Sequence, residues 1–200
     1  MIKAVISDFG GVIVRTDNLR PRRALAEKYG KTVRELDALV FNSPAAQAAT
    51  VGKQPESAIW AHVAKSLSLS PAETAYFRYQ FFAGDSFDSE LVSFLANLRT
   101  QRKTALLSNA WSGLRHLLST RFPMLYAFDE AIISAEVACA KPGQDIFQLT
   151  CQRLGVEPGE AVFLDDFEEN IEGARQAGLH TVHFLTSRQA RADIAALLNA

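Results

Sequence analysis

Residues 2–14, Ile-Lys-Ala-Val-Ile-Ser-Asp-Phe-Gly-Gly-Val-Ile-Val, constrain the fold more than any other stretch of the chain. Ile2, Ala4, Val5, Ile6 and the small Ser7 form a short, nearly continuous apolar run ahead of Asp8. Such a run fits a parallel strand covered on both faces. It stops at Asp8, and Gly10-Gly11 then require a turn. In an open α/β sheet that turn lies at the carboxyl edge of the strands, where ligands bind. A carboxylate there is a candidate nucleophile or metal ligand. Alone, an aspartate before a Gly-Gly turn is equally ordinary turn chemistry.

The rest of the chain supplies two patterns. From Leu19 to Phe87 the periodicity is helical and no strand is expected. Pro21 opens a first helix closing near Gly30, and Thr32 with Glu35 is a capping box ahead of Leu36, Leu39 and Val40. Pro44 starts a short helix, Gln54 to Leu67 another, and Ser70-Pro71 with Glu73 a last one. From Ser89 strand and helix alternate, with strands expected at Lys103–Leu107, Phe128–Ser134, Ala161–Leu164 and His180–Leu185. The expected fold class is α/β: a Rossmann-like doubly wound parallel sheet with an inserted all-helical cap. Residues 1–14 and 88–200 would form the core and 15–87 the lid, with hinges at Arg15–Asn18 and Ala83–Asp88.

Composition narrows the function classes. A formal net charge of −1 offers no electrostatic footprint for nucleic acid. Two cysteines, Cys139 and Cys151, make no disulfide framework and point to a reducing compartment. The chain opens on a strand rather than a signal peptide, and no apolar stretch approaches a membrane span. A soluble cytoplasmic protein is expected, monomer or homodimer, with no nucleic-acid or membrane partner. Tyr76, Phe77, Tyr79, Phe81, Phe82 and Phe87 read as lid core, since no basic groove accompanies them. His180 and His183, three apart in a strand, face opposite sides and make no metal pair. Neither a Walker-type loop nor Gly-x-Gly-x-x-Gly occurs.

Three predicted strands end in polar groups: Asp8, Ser108-Asn109 and Asp165-Asp166. Parallel strands share one carboxyl edge, and Lys141-Pro142 adds a cation to the same rim. Carboxylates, a hydroxyl, an amide and a lysine suit a phosphate and a hard divalent cation such as Mg²⁺.

These residues resemble the four motifs of the haloacid dehalogenase superfamily of aspartyl-nucleophile phosphohydrolases. The motifs are Asp8-Phe9-Gly10-Gly11-Val12, Leu107-Ser108-Asn109-Ala110, Lys141-Pro142 and Phe163-Leu164-Asp165-Asp166 with Asn170. The chain is similar to the branch with a helical cap after the first strand, and within it to small sugar-phosphate phosphatases. The resemblance implies that Asp8 attacks phosphorus and becomes an aspartyl phosphate. It implies Mg²⁺ held by Asp8, the Gly10 carbonyl and Asp166, with Asp165 supporting directly or through water. Ser108 and the Asn109 backbone N–H would hold a phosphoryl oxygen, Lys141 would stabilise Asp8 and the transferring group, and Asn170 would order the acidic loop. Arg15 and Lys53, the latter at a bend beside Gly52, are further candidates for meeting the substrate.

One departure stands out. Phosphatases of the family usually carry a second aspartate two residues after the nucleophile, as general acid and base; here that position is Gly10. Either the substrate has a good leaving group, or the lid supplies a proton (Asp17, Glu56, His62 or Asp85), or the enzyme is slow. The first is preferred, because close relatives in the branch share the departure. Two rival readings follow from the resemblance: a 2-haloacid dehalogenase, and a binding or regulatory protein on the same fold. Two carboxylates beside Asp8 without a cation would repel a substrate acid, which disfavours the dehalogenase.

Overall fold

The computed structural model describes residues 1–199. Strand β1 (Ala4–Ser7) is followed by β2 (Val14–Thr16), which pairs antiparallel with β3 (Asp85–Phe87). Between them lie five helices: α1 (Arg20–Lys28), α2 (Val33–Phe41), α3 (Pro44–Thr50), α4 (Ser57–Leu67) and α5 (Pro71–Phe81). The chain continues through α6 (Ser89–Leu98), β4 (Lys103–Ser108), α7 (Leu114–Thr120), β5 (Glu130–Ile133), α8 (Ser134–Val137) and α9 (Gln144–Leu154). It ends with β6 (Ala161–Asp165), α10 (Glu168–Gln176), β7 (His180–His183) and α11 (Ser187–Asn199).

The main sheet is parallel throughout, in the order β5-β4-β1-β6-β7. Side chains alternate across it. Val5, Leu106, Val162 and Leu164 face a layer with Leu91, Leu95, Leu118 and Ile194 from α6, α7 and α11. Ala4, Ile6, Ala105, Leu107 and Phe163 face Ile146, Phe147, Ile171 and Ala174 from α9 and α10. Burial on both faces is why the strands read as continuous apolar runs. Among the described residues no helix is long and apolar enough to cross a membrane.

The helical insert has its own core of Leu25, Leu36, Val40, Trp60, Val63, Phe77 and Phe81. Both expected capping boxes form, at Thr32–Glu35 and Ser70–Glu73. The ribbon of β2 and β3 differs from expectation, since Leu19 to Phe87 read as helix throughout. Three-residue strands carry too little pattern to see. What holds this ribbon is polar: Thr16 Oγ1 donates to Asp85 at 2.6 Å, and the buried Arg22 reaches Asp85, Asp37 and the Phe81 carbonyl.

Candidate active site

Sheet register assembles the site. Ser7 pairs with Leu164, so one step further Asp8 stands level with Asp165, and the Asp8 N–H donates to the Leu164 carbonyl at 2.9 Å. Ser7 also pairs with Leu106, which brings the end of β4, Ser108, to the same edge. One carboxylate oxygen from each of Asp8, Asp165 and Asp166 lies within 4.8 Å of the other two.

Lys141 enters this cluster from the loop before α9. Its side chain is 1% exposed, and Nζ lies 2.8 Å from Asp8 Oδ1 and 2.6 Å from Asp165 Oδ2. The Phe163 ring lies beneath the ammonium, 5.2 Å from Nζ to its centroid. Asn109 fixes the lysine's main chain: Nδ2 donates to the Lys141 carbonyl at 2.8 Å, and the Lys141 N–H donates to Oδ1 at 2.9 Å. Asp165 is saturated, accepting also from the Phe167 N–H at 2.8 Å and from Asn170 Nδ2 at 3.0 Å. Asn170 therefore orients the acid that orients the lysine.

Asp166 is different. Its Oδ1 is buried and has no hydrogen-bond partner. An orphaned buried carboxylate oxygen is costly. The Gly10 carbonyl likewise accepts no hydrogen bond among the described residues. Three converging carboxylates, one with a free oxygen, and a free carbonyl fit a hard divalent cation. Electrostatics agree with that donor set. Burial pushes the Asp8 carboxyl up to about 7, against the pull of Lys141 and with added repulsion from Asp165. Burial and the Asp165 charge raise Asp166 as well. A cation would return both to the ionised form.

The two turn glycines have opposite roles. At Gly11, φ is +83° and an added Cβ would lie 2.2 Å from Asp166 Oδ2. The acidic side chain packs where a methyl would be. Gly11→Ala is expected to weaken apparent cation affinity by about 10–100-fold, the usual cost of misplacing a ligand's support. Titrating Mg²⁺ against the melting temperature reads this directly. Unchanged affinity would show that Asp166 is not a ligand. At Gly10 an added Cβ meets nothing within 4 Å.

The remaining candidates are placed as follows. The Arg15 guanidinium donates to the Val12 carbonyl and to Asp88 Oδ2 at 3.1 Å, and stacks over Phe184. It is committed to tying β2 to the start of α6. Lys53 is exposed, at a bend where Gly52 presses on the Ala135 carbonyl. Of the proton donors considered in the insert, Asp17 is held by Ser86, Asp85 by Thr16 and Arg22, and Glu56 by Trp60 and Arg78; His62 is half-buried.

Sequence reasoning missed three supports. Gly173 lets α10 press on the Pro142 carbonyl, where a Cβ would lie 2.3 Å away. His183 Nε2 lies 3.0 Å from the Asp166 carbonyl and Nδ1 3.1 Å from Glu168. The Asn109 side-chain clamp is the third. Only a glycine in a charged helix hinted at the first; the other two have no local signature.

The family model of haloacid dehalogenase-like hydrolases matches residues 2–178. The chain is similar to the D-ribitol-5-phosphate phosphatase of Bacteroides thetaiotaomicron, 24% identical over 212 residues and covering 100% of both chains. It also resembles the fructose-1-phosphate phosphatase YqaB of Escherichia coli, 29% identical over 92 residues, 46% of this chain and 49% of that one. With the first curated relatives it matches, the chain spans between 7% and 49% of their length. A solved structure of a Bacteroides thetaiotaomicron family enzyme, bt-2542, in complex with magnesium and inorganic phosphate superposes with a TM-score of 0.77. It is 19% identical, with 92% of this chain and 94% of that chain covered. Motifs, fold and family match therefore converge: the chain belongs to the haloacid dehalogenase-like hydrolase family.

Proposed function

We propose that the chain is a Mg²⁺-dependent phosphomonoesterase that acts on a small phosphorylated metabolite, a sugar phosphate, through an aspartyl phosphate on Asp8. One observation carries the reading: a buried carboxylate held 2.8 Å from a buried ammonium, beside an acid pair with one free oxygen. Relatives that act on sugar phosphates support the substrate class.

In this reading Asp8 forms the bond to phosphorus as the ester P–O bond breaks, and water then releases phosphate. One difficult displacement becomes two easier ones. Lys141 Nζ neutralises the negative charge shared between Asp8 and the phosphoryl group. The Ser108 hydroxyl and the Asn109 backbone N–H donate to a phosphoryl oxygen. Asp8, the Gly10 carbonyl and Asp166 hold Mg²⁺, which when bound neutralises charge on the transferring oxygens. Asp165 supports from behind, because Lys141, Phe167 and Asn170 occupy its oxygens. Residues 15–87 act as the cap that excludes water and selects the leaving group, with Lys53 at its rim. The enzyme works in the cytoplasm, where free Cys139 and Cys151 stay reduced.

Space at Gly10 makes the missing acid testable. Gly10→Asp is expected to fold and to raise turnover of esters with poor leaving groups by up to about 10²-fold, the lower range for a positioned proton donor. Aryl phosphates, which leave without a proton, should gain little. Equal effects on both substrates would show that position 10 does not face the leaving oxygen.

The activity itself is tested by hydrolysis of an aryl phosphate with Mg²⁺ and with chelator. Turnover should vanish on chelation and return with Mg²⁺. Turnover of a 2-haloacid in the presence of chelator would assign dehalogenation instead.

A further inference from the structure

The loop that leaves β4 carries Ser108 and Asn109 at its start and Trp111 two residues on. Trp111 does not pack on the sheet. Its indole stacks on Phe41 of α2, with centroids 5.9 Å apart and an interplanar angle of 28°. It also meets Trp60 of α4 edge-on at 6.1 Å. Trp111 packs against two apolar clusters of the insert, one around Leu36, Val63 and Phe81 and one around Ala46, Ala49 and Ile59.

Two further contacts join the same loop to the same side of the insert. The buried Ser134 hydroxyl accepts from the Ala110 N–H at 3.0 Å and donates to the Thr50 carbonyl, at the end of α3, at 2.6 Å. Glu56 Oε2 sits where a Cβ on Gly113 would lie, 2.3 Å away. Besides the ribbon of β2 and β3 and the meeting of Gly52 with Ala135, the insert is attached to the core here, through the loop expected to hold the phosphoryl group.

A loop with its first two residues on the ligand and its fourth side chain inside the insert cannot move at one end alone. Packed aromatic contacts resist sliding, because a gap of a fraction of an ångström forfeits much of their attraction. We propose that Trp111 is a positioning residue that makes phosphoryl binding at Ser108-Asn109 and the seating of the helical insert a single event. This rests on the phosphatase reading above and deepens it. Occupation of the phosphoryl site draws the loop in, and the indole carries Phe41 and Trp60 of the insert with it, which changes the surroundings of Trp111. Conversely, a substrate that seats the insert tightens the loop around its own phosphoryl group. Trp111 touches no reacting atom; it acts through Ser108 and Asn109.

The chain has only two tryptophans, Trp60 and Trp111, so the contact reports on itself. The test uses the full chain, with Mg²⁺ and beryllium trifluoride as the phosphoryl mimic at Asp8. In Trp60→Phe, whose remaining indole is Trp111, Mg²⁺ with beryllium trifluoride should shift emission, and Mg²⁺ alone should not. Trp111→Ala should lose aryl phosphate turnover by roughly 10- to 10²-fold, the cost of a misplaced catalytic loop, and Trp111→Phe should recover most of it. If the mimic raises the melting temperature but Trp111 emission is unchanged, the coupling is refuted while the phosphoryl site stands. If Phe and Ala lose turnover equally with an emission shift intact, the indole reports the event without transmitting it, and the proposal fails. If the mimic neither stabilises the protein nor shifts emission and no Mg²⁺-dependent turnover exists, the phosphatase reading falls, and this proposal with it.

Discussion

Asp8→Asn should yield a folded protein that melts higher than the native chain when metal-free at pH 8, yet has lost phosphatase activity by a factor on the order of 10³ or more. The activity loss follows from removing the attacking group, whose partners cannot replace it. The gain in stability follows from burial. Asp8 is 6% exposed, and its carboxyl is pushed up to about 7, chiefly by desolvation. In the metal-free folded state it therefore binds a proton that the unfolded chain releases near the ordinary aspartate value of 3.8. A raised folded pKa contributes stability that is fully present below the unfolded value and lost as pH rises through the folded one. The native protein without metal should accordingly lose stability between about pH 4 and pH 7 from this group. Asp8→Asn should lack that component of the slope. A neutral amide leaves Lys141 its second partner, Asp165 at 2.6 Å, so the lysine is not stranded. Melting curves across pH in chelator would check this, and a destabilised Asp8→Asn at pH 8 would contradict it. Such a trade of stability for function is expected at a site built for chemistry.

Lys141→Met should have the opposite effect on stability. The ammonium is the cation between Asp8 and Asp165, and all three side chains are at most 8% exposed. Removing one partner of a buried ionic group leaves uncompensated charge and typically costs about 3–5 kcal/mol. Here the cost falls on two carboxylates at once, so at neutral pH the chain should be strongly destabilised. Protonating them at acid pH should recover part of the loss, and Mg²⁺ another part, by replacing the missing positive charge. Activity should not return with Mg²⁺, because the ion would compensate charge without supplying a donor at the lysine's place. Urea unfolding at two pH values, with and without Mg²⁺, separates these contributions. A variant as stable as the native protein at neutral pH would mean that something other than Lys141 compensates the charge of this cluster there.

Much of this was legible in the chain because parallel strands report themselves. A strand buried on both faces is mostly apolar along its length, so its end is visible where the apolar run gives way to polar groups: Asp8, Ser108 and Asp165 each mark one. Strand register then sets them on one edge without further information. Helix boundaries were readable for a related reason, since Thr32–Glu35 and Ser70–Glu73 are local hydrogen-bond patterns. What escaped depended on tertiary neighbours. Arg15 could be read as near the first motif, but its choice of Asp88 depends on a residue 73 positions away. The β2–β3 ribbon, three residues a side, shows no period, and it is pinned by polar contacts spanning 63 and 69 positions. The second role of Asn109, clamping Lys141, adds a side-chain function where only its backbone N–H was expected. Which of the acid pair is free is decided by Lys141, Phe167 and Asn170 together, and two adjacent aspartates look alike in a sequence. Trp111 was passed over because one aromatic after a turn carries no pattern of its own.

The most direct measurement is mass analysis of the Asp8 peptide after rapid acid quench during turnover of an aryl phosphate with Mg²⁺. Asp8 should carry one added phosphoryl group, absent when Mg²⁺ is chelated and absent in Asp8→Asn. Robust Mg²⁺-dependent turnover with an unmodified Asp8 peptide at every quench time, or with the phosphoryl group on another residue, would contradict the account.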